Sequence, residues 1–337
     1  MYQHVYHSQK EFLLENGQMV PELTITYHTS APVYNGKKVL WICHALTANS
    51  DPTEWWEVMV GPGKCFDPEM YFIVCANVLG SCYGSTGPLS INPVTGSPWY
   101  DSFPVVSVRD WVAAHDLVRR DIGIETIEVV IGSSVGGFQA LEYALCYPEV
   151  CRRLVLIACN AQTSPWSTAF NESQRMAILA DHTYLERRQG GGAQGLAVAR
   201  SIGLLSYRSY DGYGISQSEP DTDTFMAKRA SSYQQYQGEK LRRRFDAYSY
   251  MALTKTFDTH NVGRLRGGVE KALSTVCAQT LCVAITSDYL FPPQEVAYMA
   301  GHIPHAQYAT LHSDFGHDGF LLEWEALEKI ITAFINH

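Results

Sequence analysis

Gly132-Ser133-Ser134-Val135-Gly136 sets a serine among small residues at the end of an apolar run, Val129-Val130-Ile131. Beyond it, Ala140, Leu141, Ala144 and Leu145 fall at helical spacing, so a helix is expected from Gln139 onward. A turn between strand and helix needs only one glycine. Small residues on both sides of Ser134 imply that something approaches its side chain closely. The pattern G-x-S-x-G fits Ser134 alone, because centring it on Ser133 puts Ile131 and Val135 at the flanks. In such an elbow the serine sits on a strained turn with its hydroxyl lifted clear, and the N–H groups that follow it can hold an oxyanion. Small-residue turns without function also occur, so the pattern needs partners.

A serine hydroxyl is a weak nucleophile at neutral pH, and an activating base with an orienting acid should follow in the order Ser, Asp/Glu, His. The run TLCVAITSD ends at Asp288, before a loop of aromatics and prolines. An ordinary turn or N-cap aspartate is the plainer alternative for that residue. After a last apolar run, AQYATLHS, the segment DFGHDGFL offers His317 between Gly316 and Asp318. His312 is its one close rival, but it lies within that final strand. An oxyanion also needs a second backbone donor opposite the nucleophile. Cys43-His44-Ala45-Leu46-Thr47 ends an early strand, so Leu46 and Val135 are the expected pair of N–H donors. His44 could pass for a catalytic histidine; its position favours a structural role.

These residues need a frame. KVLWICHAL (38–46), YFIVCANVL (71–79), IEVVIG (127–132), RRLVLIACNA (152–161) and QTLCVAITSD (279–288) are short, mainly apolar runs, and helical patterns such as VRDWVAAHDLVRR (108–120) separate several of them. Such runs are expected to be parallel strands buried on both faces, in a mostly parallel sheet flanked by helices. Residues 163–272 break the rhythm with helix-like stretches and no buried strand. Between Glu172 and Lys271 there are 15 Lys/Arg and 11 Asp/Glu, a net of +4, against −13 elsewhere. That insertion is either a solvated helical surface or a lid over a site for an anionic ligand.

The net charge of −9 argues against nucleic acid and an anionic membrane surface as partners, and no window approaches the length of a membrane span. The start, MYQHVYHSQKEFLLENG, lacks a secretory signal pattern, so a cytoplasmic protein is expected. Nine cysteines without a CxxC pair point to reduced core thiols, with no metal site and no disulfide framework.

HALT (44–47), WWEVMVGPGKCFD (55–67), NVLGSCYGSTGPLSINPVTG (77–96), FPVVSVRD (103–110) and GSSVGGFQALEYA (132–144) resemble the homoserine O-acetyltransferase family. So do RFDAYSYMALTKTFDTHNVGRLRGG (244–268), SDYLFPP (287–293) and GHDGFL (316–321), so the resemblance spans nearly the whole chain in family order. It implies an α/β-hydrolase fold, with a core of residues 1–162 and 273–337, a helical lid of residues 163–272, and a homodimer through the lid helices. It further implies an acyltransferase of methionine biosynthesis that moves acetyl from acetyl-CoA to L-homoserine through an acyl-serine, with no bound cofactor.

Many members carry Gly-Ser-Met where this chain has Ser133-Ser134-Val135; a backbone donor tolerates the change. In AVARSIGLLSYRS the family pattern puts the homoserine carboxylate on Arg200 and Tyr207, whose spacing of seven shares one helix face. An arginine fork suits a carboxylate. Without the resemblance, a lid arginine and a core tyrosine would be the plainer reading. The resemblance gives the substrate ammonium to Asp318. Succinyl against acetyl donor and serine against homoserine acceptor stay open, since one methylene in an apolar pocket is worth only about 1–3 kcal/mol. A serine esterase or thioesterase would use the same triad with water, and a non-catalytic binding protein is the remaining class.

Overall fold

The computed structural model of the chain describes residues 1–336. Eight strands build the main sheet: β1 (Tyr2–Ser8), β2 (Leu23–Thr29), β3 (Lys38–Cys43), β4 (Tyr71–Ala76), β5 (Ile127–Ser133), β6 (Cys151–Ile157), β7 (Gln279–Ile285) and β8 (Gln307–Leu311). Their spatial order is β1-β2-β4-β3-β5-β6-β7-β8. The β1–β2 and β2–β4 pairs are antiparallel, and every pair from β4 to β8 is parallel. The apolar runs overshoot their strands by a few residues. β3 stops at Cys43 and β7 at Ile285, so the polar ends of those runs become the loops at the carboxyl edge.

The longer helices are α1 (Val108–Ile122), α2 (Val135–Cys146), α3 (Pro165–Ala180), α4 (Ala193–Tyr207), α5 (Tyr210–Gln217), α6 (Arg229–Arg242), α7 (Ala247–Asp258), α8 (Pro293–His302) and α9 (Trp324–Ile335). Local chemistry sets the ends of α1: Ser107 and Asp110 form a reciprocal capping box, and Gly123 closes the helix in the left-handed conformation.

The parallel strands are apolar on both sides because both sides are covered. Trp41, Val130, Leu154 and Ala284 pack with Trp111 and Val112 of α1 and Phe138 and Leu141 of α2. Leu40, Ile131, Val155 and Val283 pack on the opposite face with Leu327, Ile331 and Phe334 of α9. Five of the nine cysteines, including Cys43 and Cys159, are buried in these layers.

Two topological facts locate a site. β4 and β5 flank β3 on opposite sides, and ligands bind outside the carboxyl ends of strands at such a switch point. The chain also leaves the sheet after β6 and enters a helical excursion, α3 to α7. Its neck is stitched by an antiparallel bridge between Gln162 and Asn261, with Val262 N–H donating to the Ala161 carbonyl at 3.0 Å. No helix among the described residues is long and apolar enough to cross a membrane.

Ile331 is fully buried between α9 and the sheet. The substitution Ile331→Ala is expected to destabilise the protein by about 2–5 kcal/mol, read as a lower urea midpoint with an unchanged slope.

Candidate active site

Ser134 stands between β5 and α2 with φ 57° and ψ −129°, a strained conformation for a residue that carries a side chain. The surroundings enforce it. Ser134 N–H donates to the Ile157 carbonyl at 3.0 Å, and Gly137 N–H donates back to the Ser134 carbonyl at 2.8 Å. A Cβ on Gly132 would lie 2.0 Å from the Gly136 oxygen, and one on Gly136 would lie 2.1 Å from the Cys43 oxygen. The two glycines let α2 descend onto the ends of β5 and β3. The helix therefore begins at Val135, four residues before the expected Gln139, because contact rather than helix propensity decides its first turn.

His317 lies in a short 3-10 turn, Gly316–Asp318, after β8. Its Nδ1 donates to Asp288 Oδ2 at 2.7 Å, and both side chains are buried. The other carboxylate oxygen, Oδ1, accepts from Leu290 N–H at 2.8 Å and Phe291 N–H at 2.9 Å. Asp288 is thus a turn aspartate and a histidine partner together, and the two sequence alternatives merge. Burial opposes charge on the His317 imidazole. The Asp288 carboxylate, through its charge and its hydrogen bond, outweighs that and raises the pKa above the ordinary 6.5, with Asp318 adding to the rise. His312 is exposed just past the strand end, away from this arrangement.

The turn after β3 is held by His44. Its Nδ1 donates to the Ala45 carbonyl at 2.9 Å, and its Nε2 accepts from Val78 N–H at 3.3 Å. Those bonds require the neutral ring, and burial, partly offset by the Ala45 bond, lowers the His44 pKa to about 4. The Ala45 carbonyl also accepts from Ala48 N–H at 3.0 Å. In a trans peptide the N–H points opposite the C=O. Leu46 N–H is therefore turned away from these donors, and Leu46 lines the cavity. Val135, first in its helix, likewise has an N–H with no intrahelical acceptor.

A cavity of about 530 Å³ gathers the pieces: Leu46, Ser134, Arg200, Tyr207, His317 and Asp318 all line it. Arg200 and Tyr207 sit on α4 as the spacing predicts, with the guanidinium 5.3 Å from the ring centroid. The Arg200 Nε is buried without a partner among the described residues. The Tyr207 ring centre is 6.0 Å from that of His317. Asp318 is already paired, with Arg208 Nε 3.1 Å from its Oδ2, so a second cation would have to share that carboxylate. Sequence reasoning passed over Arg208, although it directly follows Tyr207. It also passed over Tyr83, Lys240 and Arg244 in the cavity wall. The basic run LRRRF, 241–245, was the available signal for Arg244.

Comparisons with known proteins agree with this fold. The family model of the α/β hydrolase fold matches residues 38–323. The homoserine O-acetyltransferase of Cyclobacterium marinum is 43% identical over 337 residues, covering 99% of this chain and 95% of that one. The crystal structure of homoserine O-acetyltransferase from Bacillus anthracis matches with a TM-score of 0.90 at 23% identity, covering 100% of this chain and 98% of that one. Esterase E22 matches with a TM-score of 0.88 at 21% identity, covering 99% of each chain. At these identities the two structures speak for the fold alone.

The raised pKa has a defined sign. The His317–Asp288 pair stabilises the fold fully below pH 6.5, and that contribution is lost as pH rises through the higher folded value. NMR titration of His317 is expected to give a midpoint above 6.5 in the wild type and a lower one in Asp288→Asn. Equal midpoints would refute the carboxylate as the cause.

Proposed function

The chain belongs to the homoserine O-acetyltransferase family of α/β-hydrolase-fold proteins, and from that premise we propose that it transfers acetyl from acetyl-CoA to L-homoserine. The observation that carries the reading is one cavity lined by Ser134 and His317 together with the unpartnered Arg200 and its neighbour Tyr207. A hydrolase needs the first two; an amino-acid acceptor gives the other two work to do.

In this reading His317, oriented by Asp288, takes the Ser134 hydroxyl proton as Oγ attacks the thioester carbonyl. The tetrahedral oxyanion rests on the N–H groups of Leu46 and Val135. It collapses by breaking the C–S bond, and His317 returns the proton to the departing CoA thiolate. Homoserine then enters with its carboxylate on Arg200 and Tyr207. Its ammonium shares Asp318 with Arg208. His317 removes the homoserine hydroxyl proton, the oxygen attacks the acyl-serine, and Ser134 leaves re-protonated.

The neutral imidazole is the active base, so the raised pKa places the acid limb of the rate above pH 6.5. Residues 163–272 act as a lid that keeps water from the acyl-enzyme. The exposed Trp166 and Met176 of α3 and Leu205 of α4 are the surface through which we expect two copies to pair. We place the protein in the cytoplasm as an enzyme of methionine biosynthesis, with acetyl-CoA as donor substrate and no bound cofactor.

The test is CoA release from acetyl-CoA and from succinyl-CoA, with homoserine, with serine and without acceptor, in wild type and Ser134→Ala. Release from acetyl-CoA that needs homoserine and falls by several orders of magnitude in the variant is expected. Equal release without an acceptor would mean a thioesterase. Sedimentation of wild type should give a dimer and Met176→Asp a monomer; a monomeric wild type would remove the pairing surface.

A further inference from the structure

The cavity wall holds cations that the proposed chemistry leaves unused. Lys240, on the last turn of α6, and Arg244, four residues on, both line the cavity from the side of the helical excursion. Arg244 N–H donates to the Leu241 carbonyl at 3.0 Å, so the turn continues and the two residues share a face.

Their neighbours differ from them in one respect. Arg242 and Arg243 both pair with Glu239. No carboxylate among the described residues pairs with Lys240 or Arg244. The Arg244 guanidinium instead grips neutral oxygens: Nη1 donates to the Thr47 carbonyl at 2.5 Å and to the Tyr83 hydroxyl at 2.6 Å. The one acidic side chain of the lining besides the paired Asp318 is the exposed Glu54, which accepts from Asn49 Nδ2 at 2.6 Å.

A chain of net charge −9 repels an anionic ligand in general, so any such ligand must be met by a local positive patch. Two uncompensated cations at the rim of a cavity whose floor holds Ser134 supply one. They lie apart from Arg200, whose side chain stacks with Tyr207 on another helix. We propose that Lys240 and Arg244 are the seat for the phosphate groups of the acyl donor. This rests on the acetyl-CoA reading above and adds to it the residues that distinguish the nucleotide thioester from a simple one. Held on Thr47, Arg244 also ties the seat to the turn that carries Leu46, so a docked donor braces the oxyanion turn.

The readout is a ratio: kcat/KM for acetyl-CoA over kcat/KM for S-acetylpantetheine, which has the same thioester and arm but no phosphate. In Lys240→Gln and in Arg244→Gln the ratio is expected to fall about 10- to 100-fold, as when one charge-assisted hydrogen bond to a phosphate is removed. Arg244→Lys, which keeps the charge, should restore part of it. The wild-type ratio should also fall with added salt. An unchanged ratio in both Gln variants, even with both rates reduced, would overturn the seat and leave Arg244 a brace of the turn only. A wild type that hydrolyses both thioesters equally well without acceptor would instead overturn the transferase reading, and the seat with it.

Discussion

The whole site hangs on how closely α2 approaches the strand ends. Backbone atoms of Gly136 pass the Cys43 carbonyl where no side chain could fit, and Gly132 meets the Gly136 oxygen in the same way. That contact holds Ser134 in a backbone conformation that costs on the order of 1–3 kcal/mol, and only a rigid surround sustains such strain. The surround is the doubly covered sheet, whose central strands bury every residue facing α2 and α9. Loosen the sheet and the serine relaxes; the strain and the core are one design.

Around that fixed point the polar groups divide by how completely they are satisfied. Asp288 has one oxygen on His317 and the other on two backbone N–H groups, so its ring partner has a single orientation. His44 is neutral and saturated, which makes it a strut for the turn and keeps it out of proton transfer. Three cations of the cavity lining stand apart from these satisfied groups. Arg200 has a buried Nε without a partner, and Lys240 and Arg244 have no counter-charge among the described residues. Buried polar groups are normally hydrogen-bonded, so an orphan aimed into a cavity marks where a ligand completes the structure.

Charge is distributed accordingly. The chain is acidic overall, and the helical excursion is the basic part. Most of its arginines are spent on structure: Arg175 joins Glu172 and Asp258, and Arg266 joins the buried Glu142. Three cations that no carboxylate pairs among the described residues, Arg200, Lys240 and Arg244, line the cavity. A basic count alone could not have separated these two populations, since Arg242 has Glu239 within reach whereas Arg244, two residues on, reaches Thr47 and Tyr83 instead.

Much of this was legible in the chain itself. Period and apolar runs located the parallel strands, because strands buried on both faces are apolar along almost their whole length. The small residues about Ser134 announced a close approach, and chain order picked Asp288 and His317 out of many acids and twelve histidines. Some things were out of reach of one-dimensional pattern. The start of α2 at Val135 depends on its approach to the end of β3, far back in the chain. The pairing of Asp318 with Arg208 depends on where α4 ends against the His317 turn. The difference is one of range: periodicity and turn chemistry are set by neighbours in sequence, whereas strain, counter-charge and the aim of a backbone N–H are set by neighbours that only folding brings together.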